Sequence, residues 1–319
     1  MDRVAIGMCM DRTFSPPHVV EFARLLEDGG ADQVWVIEDC FFTAGVSLAA
    51  AVATATERIE IGIGILPAVS RNPAVTAMEI ATLCALAPGR ILPGIGHGVQ
   101  AWMQQMGART PSPLTALDEV ITAVTRLLAG ELVTMHGDFV HLDRVRLDQP
   151  PRVRPPVLAG VRGPRSLLLA GQVAGGVVLA EPAGPSYVRA AIGLAGHPVP
   201  FHVAVFSALC IDNDPLVARR TMAPWLAGLM TDPNAGLRAL PFFDELLELY
   251  VERGVDGLAA MPAGWWTEIG PIGTMDDAAA HLAAVIEAGA HSIGLFPAPR
   301  PEVARFQLDQ VLELSAILR

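Results

Sequence analysis

Residues 61–98 read IGIGILPAVSRNPAVTAMEIATLCALAPGRILPGIGHG. Two strand-like runs, Ile61–Ile65 and Ile91–Gly94, flank one helical stretch from Asn72 to Ala87, and both runs end among glycines. Glycine at a strand end lets backbone approach a flat ring or a phosphate closely. Two such ends side by side read as the floor of a cofactor site, or as relief of crowding between packed strands.

Outward from this segment the same rhythm repeats. Val4–Met8 reads as a strand, and Ser15 and Pro16 open a helix that stops at Gly29-Gly30. Gln33–Ile37 is a second strand and Ser47–Thr56 a helix. After Gly98 the rhythm breaks: a short helix at Gln100–Met106, a long one from Ser112-Pro113 to Gly130, and a hairpin over Leu132–Leu147. Strands resume at Val157–Ala159, Val177–Leu179, His202–Ile211 and Ser292–Phe296, with helices at Arg165–Val173, Ser186–Ala195, Ala278–Ala288 and Glu302–Leu318. Pro215–Met230 opens a helical excursion after the seventh strand. Eight strands alternating with helices predict an α/β fold, a (β/α)8 TIM barrel in one domain over 1–319, with an insertion of about 100–156 between strands four and five. A doubly wound open sheet is the alternative.

Composition narrows the function. The 319 residues are 52% hydrophobic and 17% charged, with net charge −11. An acidic chain is a poor partner for nucleic acid or an anionic membrane. There is no lysine, which excludes Schiff-base chemistry and a lysine-centred phosphate loop. Cys9, Cys40, Cys84 and Cys210 are far apart, with no CxxC pair, and no histidine pair has helical metal spacing, so neither a disulfide framework nor a metal is expected. The N-terminus lacks the pattern of a signal peptide and no apolar run reaches membrane-span length, which points to the cytoplasm. The mean hydropathy of +0.42 leaves room for buried subunit interfaces.

A barrel works at the C-terminal ends of its strands. Glu38-Asp39 ends strand two beside Phe41; adjacent carboxylates there suit acid–base work, or form a solvated pair. His97, between Gly96 and Gly98, is the best-placed histidine, for catalysis or as a hydrogen-bonded loop residue. Gly160-Val161-Arg162-Gly163 opens a helix, where free N–H groups and a cation suit an anion, unless it is an ordinary turn. Phe14, Phe41, Trp102 and Trp265 fall in expected loops and are candidates for an apolar substrate pocket, or for insertion packing.

GADQVWVIED (30–39), SRNPAVTAMEIATL (70–83), GRILPGIGHG (89–98), SPLTALDE (112–119), GVRGPRSLLLAGQVAGG (160–176) and IGTMDDAAAHL…EAGAHSIGLFP (272–297) occur in order. Together they resemble the luciferase-like flavin/deazaflavin oxidoreductases, above all the coenzyme F-420 branch that includes methylenetetrahydromethanopterin reductase. The resemblance implies hydride transfer between reduced F-420 and a small organic substrate. The alternatives are an FMN-dependent monooxygenase and a non-catalytic cofactor-binding barrel. It also implies a homodimer, a non-proline cis peptide at Gly64–Ile65 under the deazaflavin ring, and cofactor contacts from Gly96, Gly98, Gly160–Gly163, Gly175 and Gly176. Many relatives carry Asp-His where this chain has Glu38-Asp39, and some carry an acid where it has Val99. That leaves Asp39, Glu38 and His97 as the candidates for proton transfer.

Overall fold

The computed structural model describes residues 3–319. Along the chain, β1 (Ala5–Met10), β2 (Gln33–Ile37), β3 (Glu60–Pro67) and β4 (Ile91–Gly96) alternate with α1 (Pro16–Asp28), α2 (Gly45–Ala55) and α3 (Pro73–Leu86). Helices α4 (Gln100–Gln105) and α5 (Pro113–Leu128) precede an antiparallel hairpin of β5 (Val133–His136) and β6 (His141–Val145). Then come β7 (Leu158–Gly160), α6 (Pro164–Val173), β8 (Gly176–Leu179), α7 (Pro185–Leu194) and β9 (His202–Ala208). An excursion follows, made of β10 (Cys210–Ile211), α8 (Pro215–Met230), α9 (Ala235–Arg238), α10 (Phe243–Ala259), α11 (Ala263–Trp266) and β11 (Ile272–Gly273). The chain closes with α12 (Met275–Glu287), β12 (Ser292–Phe296) and α13 (Pro301–Ile317).

Strands β1, β2, β3, β4, β7, β8, β9 and β12 form a closed parallel barrel in chain order, a (β/α)8 TIM barrel. Helix starts follow local chemistry. Asn72 caps α3 by accepting from the Ala74 N–H at 2.9 Å, with Pro73 in the first turn. Thr274 and Asp277 form a reciprocal capping box on α12. Ser112 does not cap α5 as its position suggests; its hydroxyl bonds Thr115 Oγ1 at 2.7 Å instead.

Two expectations need correction. Helix α5 packs between α3 and α6 as the barrel's own fourth helix, so only α4 and the β5–β6 hairpin are additions there. The run His202–Ile211 is not one strand. The barrel strand ends at Ala208, the Leu209 N–H makes one last bond to Phe296 O of the neighbouring β12, and the chain resumes as β10 paired with β11. The excursion that follows has its own apolar cluster, with Leu226, Leu237, Leu246, Leu258, Trp266 and Ile269 at its centre.

The barrel interior is a third cluster: Cys9, Trp35, Ile37, Leu92, Leu158, Val178, Ala204 and Phe206, with Ile65 and Phe296 packed on it. Period-two alternation fixes the directions. Met8 and Met10 face the outer helices while Cys9 faces in; Val34 and Val36 face out while Trp35 and Ile37 face in. Continued past the strand ends, this alternation sends Asp11 and Asp39 toward the barrel axis and Glu38 away from it.

Candidate active site

The C-terminal mouth has an apolar floor. The Gly64–Ile65 peptide is cis, and the β3–β4 register shifts between Ile63 and Leu66. Ile65 is partly exposed at the top of the interior cluster. A Cβ on Gly160 would stand 2.2 Å from Ile65 Cδ1, and one on Gly96 3.2 Å from Ile65 Cγ2. The glycines ending β4 and β7 therefore make room for the Ile65 side chain.

Acidic groups ring this floor. Asp39 accepts from Arg12 Nη1 at 3.0 Å. Burial raises its carboxyl above the ordinary range, against the pull of Arg12, and nearby Asp11 adds to the rise. Asp11 caps its own turn by accepting from Thr13 N and Oγ1. Glu181 follows β8. Burial raises its carboxyl too, its own backbone N–H and the charge of Arg162 oppose that, and Asp39 adds to it.

Glu38, expected to transfer protons, is instead tied into an ion pair. Its outward direction delivers it to Arg71, which grips both carboxylate oxygens at 2.5 and 2.8 Å. Its Oε2 also accepts from the Gly45 N–H at 2.9 Å. The pair ties the end of β2 to the loop after β3 and to the start of α2.

His97 is held at both ring nitrogens: Nδ1 lies 3.1 Å from Pro113 O and Nε2 3.0 Å from Ser166 Oγ. A carbonyl only accepts, so the proton sits on Nδ1 and Nε2 accepts from the Ser166 hydroxyl. Burial lowers its pKa, against the Pro113 bond. A neutral, doubly bonded ring is a strap joining β4, α5 and α6. Beside it lies a recess of about 400 Å³ lined by Gln100, Arg109, Thr110, Pro111 and Pro113.

Among the helix N-termini at the mouth, those of α6 and α7 differ. That of α6 has no side-chain cap, and a Cβ on its cap residue Gly163 would meet nothing within 4 Å. Exposed Arg162 stands beside it, with its own carbonyl pinned by Tyr187 Oη at 2.8 Å. The N-terminus of α7 is filled from within the chain: Glu268 accepts from Ser186 N at 3.0 Å and Ser186 Oγ at 3.1 Å. The uncapped N-terminus of α6 is thus open to an anionic ligand.

Three further assignments fail on geometry. Gly175 and Gly176 sit at the start of β8, at the opposite end of the barrel from the mouth, where a Cβ on either would strike Pro156 or His202 O. Phe14 is 1% exposed and packs edge-on against Phe22 in the outer core. Trp265 stacks on Phe242 with ring centres 4.3 Å apart, inside the excursion. Trp102 rides on α4 and Phe41 is exposed after a cis Cys40–Phe41 bond. Sequence reasoning passed over Arg12, Arg71, Ser166, Glu181 and Glu268. An acid before proline at a strand end, Glu181-Pro182, was the visible signal for one of them.

The geometry defines a TIM barrel with an acidic mouth over an apolar floor and an uncapped helix N-terminus at α6. The chain belongs to the luciferase-like monooxygenase family, whose profile matches residues 5–292. It is 33% identical over 187 residues to a 5,10-methylenetetrahydromethanopterin reductase of Methanolobus tindarius, covering 59% of this chain and 53% of that one. It is 29% identical over 177 residues to an F-420-dependent glucose-6-phosphate dehydrogenase of Microbacterium testaceum, covering 52% and 53%. The chain thus spans about half the length of the curated relatives it matches. The coenzyme F-420-dependent tetrahydromethanopterin reductase of Methanopyrus kandleri superposes with a TM-score of 0.78 at 21% identity, over 98% of this chain and 97% of that one. An FMN complex of a type II Baeyer–Villiger monooxygenase from Pseudomonas putida superposes at 0.72 and 14% identity, over 98% and 97%. Both share the fold.

Proposed function

We propose that the protein is an oxidoreductase that moves a hydride between a deazaflavin of the F-420 type and a small organic substrate. The observation that carries this reading is Ile65, lifted over Gly96 and Gly160 into the barrel axis as an apolar platform beneath the acidic mouth. A planar ring fits that platform, and a phosphate-bearing tail fits the open end of α6. The F-420-dependent relatives supply the cofactor class.

In this reading Gly64 and Ile65 hold one ring face. Val161, Arg162 and Gly163 meet the tail phosphate through backbone N–H groups and one guanidinium. Gly96, Gly98 and Gly160 shape the floor from behind. When bound, a deazaflavin supplies a hydride-carrying carbon. The chain holds the substrate against the open ring face, with Phe41 and Trp102 beside it, and Asp39 orders the polar side of the site with Arg12. His97 and Glu38 position loops and move no proton. Four free thiols suit a reducing cytoplasm. Among the described residues no helix is long and apolar enough to cross a membrane. We assign a homodimer to the face of α3, where Val75, Met78 and Leu86 stay exposed on a helix whose one charge, Glu79, is paired with Arg71.

Absorbance and fluorescence titration of the purified protein with F-420 and with FMN tests the reading. Saturable F-420 binding with weaker FMN binding supports it. Tight FMN binding without F-420 affinity replaces it with a flavin monooxygenase, and light scattering at several concentrations decides the dimer.

A further inference from the structure

The apolar floor of the mouth does not stop at Ile65. On one side β4, β7 and β8 separate β9 from β3, and on the other β2, β1 and β12 do, so Phe206 on β9 comes from directly across the barrel. Its ring reaches Gly64, where an added Cβ would stand 2.9 Å from Cε2 and Cζ. Phe206 is braced by Trp35, edge-on with ring centres 4.9 Å apart, and Trp35 Nε1 donates to Gln33 Oε1 at 3.1 Å. Phe296 then lies edge-on to Phe206 at 5.6 Å. In the β9–β12 register Gly294 stands opposite Phe206, so Phe296 is one pleat nearer the mouth. The alternation that turns Leu295 to the outer core turns Phe296 inward, where it packs on the interior cluster. Phe206 is 3% exposed, while Phe296 stays partly open. Its backbone is pinned on both sides of the strand end. Phe296 O accepts from the Leu209 N–H at 2.8 Å, and the Ala298 N–H donates to Gln307 Oε1 at 2.7 Å. A held aromatic ring therefore stands over the floor from the β12 side.

The charges of the neighbouring loops are engaged elsewhere. Arg12 is bound to Asp39 and lies over the Phe42 ring, Asp11 is held by its own turn, and Glu38 is gripped by Arg71. Exposed Arg162 and Arg300 stand at the N-termini of the outer helices α6 and α13. The rim adds more carbon, since Phe41 and Val99 are exposed after β2 and β4, on either side of β3.

We propose that Phe296 determines substrate specificity, and that the substrate is an uncharged molecule with an aryl or other flat apolar group beside its reducible bond. The proposal rests on the hydride-transfer reading above, in which the deazaflavin ring is seated on Ile65 and the substrate lies on the ring's open face. Phe296 is the wall of that space on the β12 side. A flat apolar group packed on it gains contact with a surface that is already ordered. A carboxylate or phosphate in the same place gives up its hydration to a carbon surface and meets the like charges of Asp11 and Asp39.

A matched pair of ligands tests this. Benzalacetone is an uncharged aryl enone, and cinnamate is nearly the same shape with a carboxylate in place of the methyl ketone. Both are titrated into wild type, Phe296→Ala and Phe296→Leu, with and without bound oxidised F-420, by ligand-observed NMR. Wild type should bind benzalacetone with a Kd of about 1 mM or tighter and cinnamate about tenfold more weakly. Phe296→Ala should weaken benzalacetone about tenfold and Phe296→Leu about threefold, with F-420 affinity kept within about twofold. Thermal melts identify a variant that fails to fold, and Phe296→Leu then decides. Equal or tighter binding of cinnamate, no binding of benzalacetone, or unchanged benzalacetone affinity in the folded variants overturns the proposal. Loss of F-420 binding in the wild type overturns the cofactor reading instead, and the titrations without cofactor still decide the role of Phe296.

Discussion

At the scale of single residues, adjacent carboxylates of the mouth take opposite directions. The parity of the strand decides which is which. Glu38 turns outward and becomes half of an ion pair whose carboxylate is 9% exposed. Removing its partner in Arg71→Leu leaves that charge buried and should cost about 2 kcal/mol, read by urea denaturation, with F-420 binding retained once folded. Gly160→Ala tests the platform. The new methyl would stand within 3.0 Å of three Ile65 side-chain carbons, so Ile65 must swing into the ring's space. The expected result is an unchanged melting temperature to within a few degrees and F-420 affinity about tenfold weaker. The adjacency of Glu38 and Asp39 was visible in the sequence. Their opposite fates were not, because the partners Arg71 and Arg12 come from other loops. The same holds for His97, whose two partners lie 16 and 69 residues away.

At the scale of elements, single acids latch loops onto helices. Glu119 on α5 accepts from the N–H groups of Asp138, Phe139 and Val140 at the tip of the β5–β6 hairpin. Glu27 on α1 does the same for Glu57, Arg58 and Ile59 ahead of β3. Burial works against these carboxylates, yet the backbone donors win and lower both pKa values. Glu119→Ala should free the hairpin without melting the barrel. Hydrogen exchange should rise within residues 133–145 and stay unchanged in the barrel strands. All eight barrel strands were legible from apolar runs and glycine or proline punctuation. The break at Leu209 was not, since its apolar run continues unchanged into Cys210 and Ile211 and only the pairing partner changes.

At the scale of the whole molecule, two buried histidines set the response to acid. His281 joins Ser207 to Thr267 O, and His202 bonds Ser292 Oγ beside His291. Burial pushes both pKa values down to about 4, with the His291 charge adding to the effect on His202 and the Thr267 bond opposing it on His281. Lowered pKa values mean stability that is complete above about pH 6.5 and lost as pH falls toward 4, about 3 kcal/mol for each histidine. Asp39 and Glu181, raised, act in the opposite direction and offset part of the loss. Denaturant midpoints at pH 7 and pH 5 should differ sharply, and His281→Gln should flatten the difference. The excursion after β9 has one last consequence. Its apolar cluster is distinct from the barrel's, and it is moored by Glu268 on Ser186, Asn234 on Glu181 O and Thr267 on His281. Two of these moorings are single hydrogen bonds. On slow heating the excursion should loosen first. Inactivation would then run ahead of melting and be reversible on cooling, and limited proteolysis would nick residues 212–271 while the barrel remains intact.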